Sequence, residues 1–109
     1  MAAVTHSMAE ERSLALHREV ARRLCEAPEL LEAARRRVSL WLSSGTVPRR
    51  WALRWDAILK APLSEVVAAI TDPGEEARDL RQVSPFAGAI APRTRWAILR
   101  QVRGEAVLP

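Results

Sequence analysis

Leu80-Arg-Gln-Val-Ser-Pro-Phe-Ala-Gly-Ala-Ile-Ala-Pro-Arg-Thr-Arg-Trp-Ala-Ile-Leu-Arg100 holds the only phenylalanine of the chain, Phe86, one of its four tryptophans, Trp96, two prolines and a glycine. Its pattern predicts the end of one helix, a short turn over an apolar surface, and the start of a last helix at Pro92. Nothing in it has the spacing of a catalytic motif. The rest of the chain reads as helices on either side of similar proline breaks.

With 109 residues the chain supports one domain with one core. Alanine, leucine, valine and tryptophan supply its apolar side chains. Without tyrosine and with one phenylalanine, this composition favours helix over strand. No apolar run approaches the ~20 residues that span a bilayer, so no membrane insertion is expected. Met1 to Met8 lacks the basic start and apolar core of a secretory leader. The lone Cys25 permits no internal disulfide, as suits a cytoplasmic protein.

A mobile segment is expected over 1–7, a helical domain over 8–103, and a tail over 104–109. Ser7 and Glu10 have capping-box spacing, which predicts a first helix from Met8 to Cys25 with Leu14, Val20, Ala21, Leu24 and Cys25 inward. A second helix, Pro28 to Ser43, turns Leu31, Ala34, Val38, Trp41 and Leu42 to one side, and Gly45 closes it. Pro48 opens a third through Lys60, with Trp51, Trp55, Ile58 and Leu59 as its stripe. After Pro62, Leu63, Val66, Val67 and Ile70 face the core of a fourth. Asp72 should cap a fifth, with Pro73 as its first residue and Glu75 returning the bond, ending near Val83. In the last helix Trp96, Leu99 and Val102 point inward. The expected fold is all-α, a compact bundle of five to six short helices joined by proline-marked turns.

Catalysis needs a nucleophile, base or metal site that converges. His6 lies near the end of the chain. His17 and Cys25 lie two turns apart, roughly 12 Å along a helix axis, too far for proton transfer. There is no metal-ligand spacing and no glycine-rich phosphate loop. No enzymatic activity, cofactor or metal is expected; His17 is read as a packing residue and Cys25 as a small buried apolar one.

Net charge is +4, unevenly spread. Residues 1–34 sum to −2, 35–60 to +6, 61–80 to −4 and 81–109 to +4. The basic segment 35–60 interleaves Arg35, Arg36, Arg37, Arg49 and Arg50 with Trp41, Trp51 and Trp55. That combination offers phosphate contacts and stacking faces, so a small regulator bound to DNA or RNA is one reading. Against it, consecutive arginines fan around a helix, and the tryptophans fall at core spacing. Tryptophan and arginine are also the anchors favoured at protein interfaces, and the Ser84–Gly88 turn could present Phe86 to a partner or fold it over the core. A third reading is a homo-oligomer whose oppositely charged segments pair between subunits.

Ser13-Leu-Ala-Leu-His-Arg-Glu-Val-Ala-Arg-Arg-Leu24 and Leu80-Arg-Gln-Val-Ser-Pro-Phe-Ala-Gly88, followed by Pro92 to Trp96, resemble short helical antitoxins of bacterial type II toxin–antitoxin pairs. The resemblance spans Ser13 to Arg103 and is most specific at Ser84 to Gly88 with Arg95-Trp96. Where the family pattern places an acid before that arginine, this chain has the uncharged Thr94. The resemblance implies a partner toxin of nucleotidyltransferase type, which adds nucleotides to RNA, neutralised by covering its active site. It also implies that Phe86 and Trp96 are apolar anchors. Arg95 and Arg100, or the cluster Arg49, Arg50 and Arg54, would engage the acids that hold the toxin's metal. Many antitoxins also bind their operator, so DNA or RNA remains a second implied partner.

Overall fold

The computed structural model describes the backbone of residues 2–107 and the side chains of 8–104. It contains six helices, α1 (Ala2–Glu26), α2 (Glu29–Ser44), α3 (Arg49–Leu59), α4 (Leu63–Thr71), α5 (Glu75–Arg81) and α6 (Pro92–Val107), and no strand among the described residues. The expected all-α bundle is what forms.

α1 is the spine. It packs against α2, α4, α5 and α6, while α2 pairs with α3, and α4 touches both α3 and α5. The buried stripe Val20, Ala21 and Leu24 of α1 meets Ala34 and Val38 of α2, Trp55 and Leu59 of α3, Val66 and Ile70 of α4, and Leu80 of α5. These positions recur at three and four residues, so each helix turns one apolar stripe inward. Trp55, 1 % exposed, is the largest fully buried side chain. Each such large apolar side chain contributes roughly 1.5–3 kcal/mol by leaving water.

Proline and glycine set the breaks. The Pro48 carbonyl accepts the Trp51 and Ala52 amides, and that of Pro62 the Glu65 and Val66 amides. Gly45 closes α2 with φ +73°, donating its N–H to the Trp41 carbonyl at 3.0 Å. Only a residue without a Cβ enters this left-handed region at little cost.

Several expectations are corrected. α1 begins at Ala2, so Ser7 lies inside the helix and no capping box starts it; residues 2–7 contain no breaker to stop the helix. At the other end α6 continues to Val107, taking in most of the expected tail, while Met1, Leu108 and Pro109 lie outside the described residues. α5 starts at Glu75, not Pro73, with Gly74 as its cap residue. Asp72 instead accepts the Gly74 amide at 2.7 Å, closing a turn one step ahead of the helix. Cys25 is exposed, and Leu63 is 37 % exposed at the edge of its stripe. Trp96, expected inward, is 67 % exposed. α6 packs on α1, burying Val102 and half-burying Ile98 and Leu99; Trp96 lies about 120° around the helix from Val102 at ~100° per residue.

Two glycines should respond oppositely to the same change. Gly45→Ala forces a Cβ into left-handed backbone and should lower unfolding free energy by about 1 kcal/mol. Gly104, inside α6 with open space around an added Cβ, should gain up to about 1 kcal/mol as alanine. Urea titrations of the two variants measure both signs.

Candidate functional site

The residues between α5 and α6 form a turn held over the middle of α1. The Val83 amide donates to Leu80, and the Ala89 amide to the Phe86 carbonyl. Gly88, at φ +84°, supplies the left-handed residue that lets the chain reverse. Phe86 is 6 % exposed. Its ring meets Trp55 edge-to-face at 6.0 Å and His17 at 6.4 Å, an arrangement aromatic rings favour. The turn therefore folds Phe86 into the core, the second of the two roles open to it, and leaves little of its ring for a partner.

His17 fastens this turn to α1. Its Nδ1 lies 2.7 Å from the Ser13 carbonyl, which can only accept, so Nδ1 carries the proton. Nε2 then accepts from the Ser84 hydroxyl at 2.8 Å, and Ser84 Oγ in turn accepts the Phe86 amide at 3.2 Å. Burial holds the His17 pKa below its ordinary value; the Ser13 carbonyl opposes this, and the nearby Arg81 charge adds to it. Arg81 is itself buried and donates to the Ile70 and Asp72 carbonyls at 3.3 and 2.6 Å, closing the end of α4. Desolvation lowers its pKa, with the Asp72 charge acting against that. Composition gave no sign of either role. The one hint for His17 was its spacing, three residues before Val20 and seven before Leu24 on the buried stripe.

Of the depressions along the seam of α1 and α6, two share Arg12 and Leu99, and the larger of these borders the turn. The larger, about 510 Å³, has His17, Phe86, Ile90 and Leu99 among its walls, with Arg12 and Arg95 at its edge. The smaller, about 180 Å³, is lined by Arg12, Trp96, Leu99, Arg100 and Arg103. No aspartate or glutamate lines either one. Among the described residues, Arg12, Arg95, Arg100 and Arg103 take part in no ion pair.

The structure therefore brings Arg95, Trp96 and Arg100 together and adds Arg12 and Arg103, which the sequence reading had not singled out. It does not bring the α3 arginines to them, since α6 packs on α1. Arg54 pairs with Glu76, and Arg50 lies 4.9 Å over the Trp51 ring. Arg49 is exposed near the start of α3. The basic segment has also lost most of its stacking faces: Trp55 is core, while Trp41 and Trp51 are half-buried. Arg35 is engaged by Glu32 and the Leu59 carbonyl. Among the described residues no group of His, Cys, Asp or Glu is placed to hold a metal, and no helix is long and apolar enough to cross a membrane.

Comparison with known protein families, with curated proteins and with solved structures yields no match for this chain. Fold and site define a small helical protein with one aromatic, cationic face.

The His17 node makes two predictions. Because the native state lowers the His17 pKa, its neutral form stabilises the fold fully above the unfolded value of about 6.5. That contribution falls as the pH drops from there to the lowered native value. Urea midpoints from pH 8 to pH 5 should decline, and His17→Gln should flatten the slope. Ser84→Ala leaves His17 Nε2 without its donor and the Phe86 amide without its acceptor, and should cost about 1–3 kcal/mol. An unchanged midpoint would exclude the hydrogen-bonded node as a stabilising element.

Proposed function

We propose that this chain is a non-catalytic, protein-binding antitoxin that neutralises a cognate toxin through the α1–α6 face. The observation that carries the proposal is Trp96, 67 % exposed on a folded surface and set among arginines that enter no ion pair among the described residues. A large apolar ring kept in water has a cost that a partner would remove, and tryptophan with arginine is the pair most often found at the energetic centre of interfaces. The likeness of Ser84 to Gly88 and of Arg95-Trp96 to helical antitoxins supports the more specific part. A cationic lid suits an acidic, metal-holding active site such as a nucleotidyltransferase-like toxin would have. In this scheme Trp96 is the anchor, Arg95 and Arg100 face the partner's acids, and Phe86 supports the face from below. The protein would act in the cytoplasm.

The nucleic-acid alternative, through segment 35–60, has less behind it. Arg36, Arg37 and Arg49 remain exposed, but the tryptophans that would stack on bases are largely withdrawn into the core.

A tagged full chain, recovered from source cells at about 0.3 M salt after nuclease treatment, tests the proposal. The expected result is one stoichiometric protein whose expression alone arrests growth. The wild-type chain should relieve the arrest, and Trp96→Ala with Arg100→Glu should not. Recovery of nucleic acid alone at low salt, or relief undiminished in the double variant, would refute it.

A further inference from the structure

We infer that the seam between α1 and α6 is a receptor trough for a short, extended acidic segment of a partner protein. The inference rests on the protein-binding proposal and specifies what the partner must offer. Arg12 and Leu99 line both depressions, so the two adjoin along the seam. Its floor is apolar, made by Leu16, Val20, Phe86, Ile90 and Leu99. Its rim is cationic, made by Arg12, Arg95, Arg100 and Arg103. An apolar floor under an unneutralised basic rim is complementary to a chain that alternates apolar side chains with carboxylates.

The dimensions limit the conformation. Arg95 and Arg103 stand two turns apart on α6, roughly 12 Å along its axis at ~1.5 Å per residue. An extended chain covers that distance in about four residues. The smaller depression, 180 Å³, is too small for a helix about 10 Å across, but accommodates a single side chain against Trp96 and Leu99. The segment therefore carries two acids about four residues apart, one toward Arg95 and the other toward Arg103, with an apolar anchor between them. Arg12, facing α6 across the seam, reaches the same segment from the other side. Single-stranded nucleic acid fits this trough less well, because it needs successive stacking faces. Trp96 is the exposed aromatic here, and Phe86 is buried.

The test pans a random library of 12-residue peptides against the purified full chain, then measures the enriched peptides by fluorescence anisotropy. Enrichment of an acid–apolar–acid pattern is expected, with the acids about four residues apart. Affinity should fall roughly tenfold or more in Trp96→Ala and in Arg103→Glu. Arg36→Glu, an equal charge change on an exposed residue of α2, which does not pack on α6, should leave it unaltered. Peptides without acids, or acidic peptides that bind the trough variants and wild type equally, would overturn the inference. Oligothymidylate that displaces the peptides at the same salt would overturn it too, and assign the trough to nucleic acid. The antitoxin proposal fails separately. A Trp96-dependent toxin recovered without any acidic motif in the library leaves that proposal standing and removes the linear segment. An acidic motif with no growth-arresting partner does the reverse.

Discussion

The seating of Phe86 against Trp55 and His17 is the contact on which the rest of the molecule depends. α6 packs on α1, and the chain reaches it only through the turn that carries Phe86. Tying that turn to α1 through Ser84 and His17 fixes where α6 begins, and so where its outer face points. The same contact closes the core, because Phe86 meets the largest fully buried side chain. A neutral, desolvated histidine serves here because it can donate to a helix carbonyl on one side and accept from a serine on the other. Neither nitrogen is left to solvate, so the polar ring is tolerated beside Phe86.

Charge is used differently in different parts of the fold. The acidic stretch 61–80 is largely answered within the molecule. Glu76 pairs with Arg54, and Arg78 lies between Glu75 and Glu10. The Asp72 charge acts on Arg81, which also donates to the Asp72 backbone carbonyl. These links hold α5 against α1, α3 and α4, although exposed pairs of this kind contribute only a few tenths of a kcal/mol each. Among the described residues, the stretch after residue 91 has no such ion pair. Its arginines crowd one side of α6, where mutual repulsion raises the cost of leaving them bare. An uncompensated cationic surface beside an exposed tryptophan is hard to explain by folding alone, which is why the α1–α6 face carries the functional proposal.

The helices were legible because their signals are local. Gly45 closes α2 as its position implied, and Pro48 and Pro62 immediately precede α3 and α4. Trp55, Leu59, Val66 and Ile70 are buried as their spacing required. Errors arose where a local signal competes with its surroundings. Ser7 and Glu10 have capping spacing, but the helix continues through them because the flanking residues favour helix as well. Trp96 shares the period of Leu99 and Val102, yet α6 rests on α1 alone of the long helices, so its buried stripe is narrower than the period allows. Cys25 sits beside Leu24 in the chain but on the outer side of α1.

Periodicity and turn chemistry act over a few residues, and for that reason the all-α class, the helix breaks and most of the core follow from the order of amino acids. Which arginines remain free is a different kind of question. Arg54, Arg81 and Arg95 look alike in the chain. One is paired across helices, one is buried on carbonyls, and one stands at the rim of the trough. Those fates depend on contacts between residues distant in sequence, such as His17 with Ser84, and only the packing of α6 on α1 brings Arg12 and Trp96 to one depression.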